Sequence, residues 1–110
     1  MSKPTSILSD LQLQHIAQLF GALAEESRLQ IVRALLAEPH TVGELCEATG
    51  LKQPNVSRQL SILSQAKVVA GERDGSFVRY RVSDPIVKDL CHIVCEKVLR
   101  DSKAVLSPRR

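Results

Sequence analysis

Apolar residues recur at intervals of three and four through the first two thirds of the chain and at intervals of two after Lys67, a pattern that predicts helices followed by a hairpin. Ser9 or Asp10 caps a first helix over about 10–23, with Leu13, Ile16, Phe20 and Leu23 on one stripe and Gly21 as a weak point. A second helix sets Ile31, Val32, Leu35 and Leu36 on one side, leaves Arg28, Arg33 and Glu38 to solvent, and ends before Pro39. Thr41, with Glu44 three residues on, makes a capping box that opens a short third helix; Val42, Leu45 and Cys46 form its apolar face and Gly50 ends it. A fourth helix begins through Pro54 and buries Val56, Leu60 and Leu63. Its other side carries Pro54, Asn55, Ser57, Arg58 and Ser61, hydrogen-bonding groups without a carboxylate that suit base edges and phosphates.

Beyond Lys67, Val68-Val69-Ala70 and the alternation of Val78, Tyr80 and Val82 with Phe77, Arg79 and Arg81 bracket an Asp74-Gly75 turn signal, which predicts a two-stranded hairpin. A last helix starts at Asp84 as cap, with Pro85 in its first position, and runs through Ile86, Leu90, Ile93, Val94 and Val98 to about Arg100. Residues 1–9 then read as a flexible N-terminus, 10–100 as one domain and 101–110 as a frayed tail. Helix, helix, short helix, turn, basic helix, basic hairpin, long helix is the order of a mainly α winged helix-turn-helix domain. The third and fourth helices form the helix-turn-helix and the hairpin forms the wing.

Composition sharpens this picture in three places. A chain of 110 residues with 44% hydrophobic and 25% charged residues is one globular domain, and it holds no apolar run long enough to span a bilayer and no export signal. The expectation is a cytoplasmic protein without a membrane partner. Net charge is only +3, but between Lys52 and Arg81 six bases meet two acids, whereas the rest of the chain has nine bases and ten acids. One segment therefore carries the positive field that a polyanion would seek. Three cysteines argue against a disulfide framework. Cys91 and Cys95 stand at i and i+4, so both thiols leave one side of the last helix, a spacing open to a soft ion, to thiol chemistry or to plain packing. Neither a Cys-x-x-Cys motif, a Ser/His/acid set nor a Gly-rich phosphate loop is present, and the sequence does not read as an enzyme.

The stretches 20–36 (with Glu25-Glu26-Ser27-Arg28-Leu29 at its centre), 41–45, 50–63 (with Pro54-Asn55-Val56-Ser57-Arg58-Gln59-Leu60) and 73–82 together resemble the ArsR/SmtB family of bacterial repressors, over about residues 15–100. Two departures are Glu25-Glu26, where members often carry Asp-Pro, and Lys52, where a capping Ser is common. The resemblance implies a homodimer formed by the first and last helices, bound to an inverted-repeat operator on double-stranded DNA and released by an inducer. A last helix apolar over most of its circumference between Ile86 and Leu99 fits a partner subunit as its cover. In that reading Lys52 and Gln53 hold the DNA backbone at the start of the recognition helix, and Asn55, Ser57, Arg58 and Gln59 meet bases and phosphates. Arg73, Ser76 and Arg79 of the wing lie along the adjacent minor groove or its phosphates.

The family's sensor sites map poorly onto this chain. Asp84 matches the first ligand of the zinc site in the last helix, but Ile86, Lys97 and Arg100 stand at the other three positions. Thr41 and Gly43 occupy the place of the Cys-x-Cys used for thiophilic ions, and residues 26–38 lack the cysteine of persulfide sensors. Cys91 and Cys95, with His92 between them, remain as candidates to bind a thiophilic metal or metalloid ion or to react with a thiol-directed signal. Two other readings stay open: a regulator of the same fold with no small-molecule sensor, and an interaction module whose basic hairpin meets an acidic protein.

Overall fold

Along residues 8–102, which the computed structural model describes, run α1 (Asp10–Leu23), α2 (Glu26–Ala37), β1 (His40–Thr41), α3 (Val42–Thr49), α4 (Gln53–Gln65), β2 (Val69–Asp74), β3 (Phe77–Val82) and α5 (Pro85–Asp101). The ends of these elements follow from local chemistry. Ser9 and Gln12 close a reciprocal capping box on α1, and Thr41 and Glu44 close another on α3. The Glu25 carboxylate accepts the Arg28 N–H at 3.1 Å, so a Glu does for α2 what a capping Asp would do. Gly50 ends α3 with φ at 79°, the left-handed conformation that a side chain disfavours. The N-cap of α4, Lys52, makes no side-chain capping bond, which leaves that helix start open.

The end of α4 is less orthodox. Val68 N–H bonds to Leu63 C=O at 2.9 Å and Lys67 N–H to Ser64 C=O at 3.0 Å, the paired bonds of a Schellman turn. Its left-handed position is held by Lys67, with φ at 62°, where glycine is usual.

The hairpin pairs β2 with β3 as expected, and β1 adds an edge strand that carried no signal in the sequence, giving an antiparallel sheet in the order β1-β3-β2 with His40 opposite Tyr80 and Thr41 opposite Arg79. Pro39 forces Glu38 into extended backbone, and that direction carries His40 alongside β3. His40 is consequently half-buried. The turn also sits one residue later than the Asp-Gly signal suggests. Asp74 pairs with Phe77, so Gly75 and Ser76 are the central residues, with Gly75 at φ 66°. Positive φ at the first central residue matches the right-handed twist of a hairpin.

Ile31, Val32 and Leu35 of α2, Leu45 of α3, Val56, Leu60 and Leu63 of α4, Val68 just ahead of β2 and Val69 at its start form one core, joined by Ala22 and Val87 from the flanking helices. Each large aliphatic side chain so enclosed contributes about 1.5–3 kcal/mol of burial. The flanking helices differ. In α1 only Ala22 is fully buried, and in α5 only Val87. The radius of gyration, 16.2 Å, exceeds the roughly 13 Å of a compact domain of this length, and the shortest dimension is 20 Å, two helix diameters. Of the segments read as flexible, Ser9 is an ordered cap and Asp101 lies within α5; residues 1–7 and 103–110 fall outside the described part.

Candidate nucleic-acid interface

Because its apolar stripe faces the core, α4 turns Gln53, Pro54, Ser57, Arg58 and Ser61 fully outward, with Lys52 exposed just ahead of them and Asn55 half-exposed. No carboxylate occurs anywhere in α4. Lys52, Gln53, Asn55, Ser57 and Arg58 therefore share one continuous surface at an uncapped helix N-terminus.

Gln59, expected on that surface, is not there. It is 7% exposed and is held from both sides: Arg28 Nη1 donates to its Oε1 at 2.8 Å, and its Nε2 donates to Asn55 Oδ1 at 2.9 Å. Arg28, expected in solvent, is corrected by the same bonds. Its Nε also donates to Ala22 C=O at 2.6 Å and its Nη2 to Gly21 C=O at 3.3 Å, so it ties the end of α1 to α4. Spacing alone set Arg28 on the polar side of α2, and the cluster is tertiary: Arg28 and Gln59 lie 31 residues apart. The available signal was an arginine beside a helix C-terminus, where orphan carbonyls attract a cation.

In the wing, Arg73 and Ser76 are exposed near the tip, and Arg81 is exposed further along β3. Arg79 is engaged instead. Its Nε meets Asp74 Oδ2 at 3.0 Å and its Nη1 meets Glu44 Oε1 at 3.1 Å, tying the hairpin to α3; His40 Nδ1 stands 3.5 Å from the same Glu44 oxygen. The bond to Asp74, aided by both carboxylate charges, raises the Arg79 pKa. The Thr41 N–H bonded to Glu44, with Arg79 and His40 beside it, holds the Glu44 carboxyl below its ordinary value.

Cys91 and Cys95 line an apolar groove of about 700 Å³ between α1, α2 and α5, with Phe20, Leu29, Leu90 and Val94 in its walls. Cys91 is half-buried and Cys95 exposed. Burial pushes the Cys91 thiol up, away from the thiolate that binds metals. No cluster of three or more His, Cys, Asp or Glu able to hold a metal ion occurs among the described residues. Cys46 packs half-buried against the core. No helix among the described residues is long and apolar enough to cross a membrane.

Comparison with known proteins agrees with this geometry. A transcriptional regulator of Mycobacterium tuberculosis, Rv0081, is 37% identical over 98 residues, covering 86% of each chain. Its crystal structure superposes with a TM-score of 0.77 over 96% of this chain and 100% of that one, at 29% identity. A probable mercury resistance operon repressor of Streptomyces lividans is 42% identical over 74 residues, 67% of this chain and 59% of the relative. The homodimeric winged helix-turn-helix DNA-binding domain of Mb0332 from Mycobacterium bovis matches with a TM-score of 0.77 at 28% identity, over 90% of this chain and 93% of that one. Residues 25–70, from the cap of α2 through the start of β2, match the family described as bacterial regulatory protein, arsR family. By its sequence, its winged helix-turn-helix and its relatives, the chain belongs to the arsR family of bacterial transcriptional regulators.

Proposed function

We propose that the protein is a transcriptional repressor acting in the cytoplasm as a symmetric homodimer, paired through α1 and α5, with its two α4 helices in neighbouring major grooves of an inverted-repeat operator. The observation that carries this is the outward side of α4: Lys52, Gln53, Asn55, Ser57 and Arg58 in one carboxylate-free surface beside a basic hairpin. Lys52, Gln53 and the open helix start hold a phosphate, while Asn55, Ser57 and Arg58 meet base edges. Gln59 acts through Asn55. Arg73 and Ser76 follow the adjacent backbone, and Arg79 joins them when a phosphate replaces one of its two carboxylate partners. The exposed apolar residues of α1 and α5 favour a second copy as their cover, in keeping with the homodimeric Mycobacterium bovis domain.

Release from DNA follows capture of a thiophilic metal or metalloid ion, or reaction with a thiol-directed signal, at Cys91 and Cys95. Two thiols on one side of an interfacial helix give a soft ion two sulfur ligands, and a second copy of the chain would complete the set. The mercury resistance relative supports an effector of this class. The raised pKa of Cys91 favours a second reading, a regulator of the same fold whose thiols only pack.

The test is binding of reduced protein to operator duplex across a salt series, then with thiophilic ions and thiol oxidants added. Affinity falls steeply with salt, and Arg58→Ala costs at least about 1 kcal/mol. Cys91→Ser combined with Cys95→Ser keeps DNA binding and abolishes release; a double variant that still responds normally removes the thiols from the switch.

A further inference from the structure

We propose that Arg28 sets the base preference of α4 by dictating which end of the Asn55 amide faces outward; the inference rests on the DNA-binding reading above. The hydrogen bonds leading to Asn55 run in one direction. A guanidinium has five N–H groups and no acceptor. Arg28 is anchored by two groups that only accept, the carbonyls of Ala22 and Gly21, and its remaining Nη1 lies 2.8 Å from Gln59. The oxygen of Gln59 must therefore face Arg28, and its NH2 must face away. That NH2 donates to Asn55 at 2.9 Å, which turns the Asn55 oxygen inward. Arg58 Nη2 donates to the same oxygen at 3.2 Å and likewise has nothing to accept with. The Asn55 NH2 is the end left over, and it makes no hydrogen bond among the described residues.

This polarity has a consequence for recognition. An asparagine reads adenine bidentately by accepting from N6–H and donating to N7, so it needs both ends of its amide. Here the oxygen is occupied by two donors, and Asn55 offers N–H alone. With Arg58 beside it, this part of α4 becomes a donor-only surface. It favours base edges that present only acceptors, guanine O6 and N7 or thymine O4; adenine is met at N7 alone, without the second bond to N6–H2, and cytosine, whose edge is an N–H2 donor, is disfavoured. Arg28 is a positioning residue: it acts through Gln59, whose burial limits the exchange of its bonds with water.

Gln59→Glu tests the relay with almost no change of shape. A carboxylate still accepts from Arg28 but cannot donate, so it must take an N–H from Asn55, which swings the Asn55 oxygen outward. The probe is a pool of double-stranded oligonucleotides with randomised inverted-repeat half-sites, followed by affinities for the selected duplex and its single base-pair changes. Wild type is expected to discriminate at least about fivefold against donor-bearing edges at one position per half-site, the position at which Asn55→Ala becomes indifferent. Gln59→Glu reverses or erases that preference there and keeps the others, and Arg28→Lys, lacking the planar fork, erases it. A DNA-free measurement accompanies this: in nitrogen-15 spectra the Gln59 side-chain NH2 is protected from exchange and that of Asn55 is not, and Arg28→Lys removes the protection while the protein stays folded. Unchanged base preference in Gln59→Glu overturns the proposal, as does fast exchange of the Gln59 NH2 in wild type. A wild type that retains no duplex at low salt overturns the DNA-binding reading and this role with it. Intact Gln59 protection would then show that the reading failed rather than the relay.

Discussion

The α2–α3–α4 block and the α1–α5 pair are built from the same kinds of residue and treat them in opposite ways. In the block, Ile31, Leu45, Leu60 and Leu63 are each 2% exposed or less. In the pair, Phe20 is 52% exposed, Ile93 63% and Val98 55%, on helices that are nonetheless regular and properly capped. Local helix signals are equally good in both regions, so what differs is whether the chain supplies its own cover. The block is a finished core. The pair leaves a contiguous apolar surface on ordered helices, which a partner would remove from water, as the proposed pairing of two copies requires.

The comparison can be broken most forcefully from the open side. Ile93→Asp together with Val98→Asp should weaken self-association by at least about a thousandfold, because each buried, unpaired carboxylate costs several kcal/mol. Sedimentation should show a monomer whose helical circular dichroism is retained, as these side chains contribute nothing to the core. If this variant remained dimeric, the exposed surface of α5 would not be the interface. On the closed side, Leu60→Ala should cost about 3 kcal/mol in denaturant unfolding through lost burial and a cavity, with association affected only through folding.

Smaller effects test how the block is finished at its edges. Lys67→Gly should stabilise the protein by about 1 kcal/mol in thermal or denaturant melts, because glycine relieves the left-handed backbone that ends α4. Glu44→Gln should give the smallest effect, and a pH-dependent one. The Glu44 pKa is depressed by the Thr41 N–H and then by Arg79 and His40, so its contribution is present above the ordinary carboxylate range and is lost as pH falls through the lower folded value. The gap in melting temperature between wild type and Glu44→Gln should therefore narrow on going from about pH 7 to about pH 3. A gap that widened on acidification would mean that Glu44 is not held as an anion by its cap.

Much of the fold is legible along the chain because its signals are local. The Thr41/Glu44 box, Gly50, Asp84-Pro85 and the switch to alternation after Lys67 each act within four residues, and α1, α3 and α5 begin where the local signals put them. The Lys52, Asn55, Ser57 and Arg58 surface was legible for the same reason, since a helix of known stripe leaves only one other side. Gln59 was misplaced because it sits at the border of that stripe, where periodicity cannot tell a half-turn inward from a half-turn outward and a distant arginine makes the difference. β1 was missed because two residues carry no period, and it exists only because β3 is there to pair with it.

The sequence by itself determined where α1, α3 and α5 begin, which sides are apolar, and that positive charge is concentrated between Lys52 and Arg81, because caps, turns and helical period are properties of near neighbours. Only the tertiary structure decided that Arg28 reaches across to Gln59, that Arg79 is divided between Asp74 and Glu44, and that Phe20 and Val98 stay uncovered. Those outcomes depend on which surfaces meet when the helices pack, a matter of long-range geometry to which no short window of sequence has access.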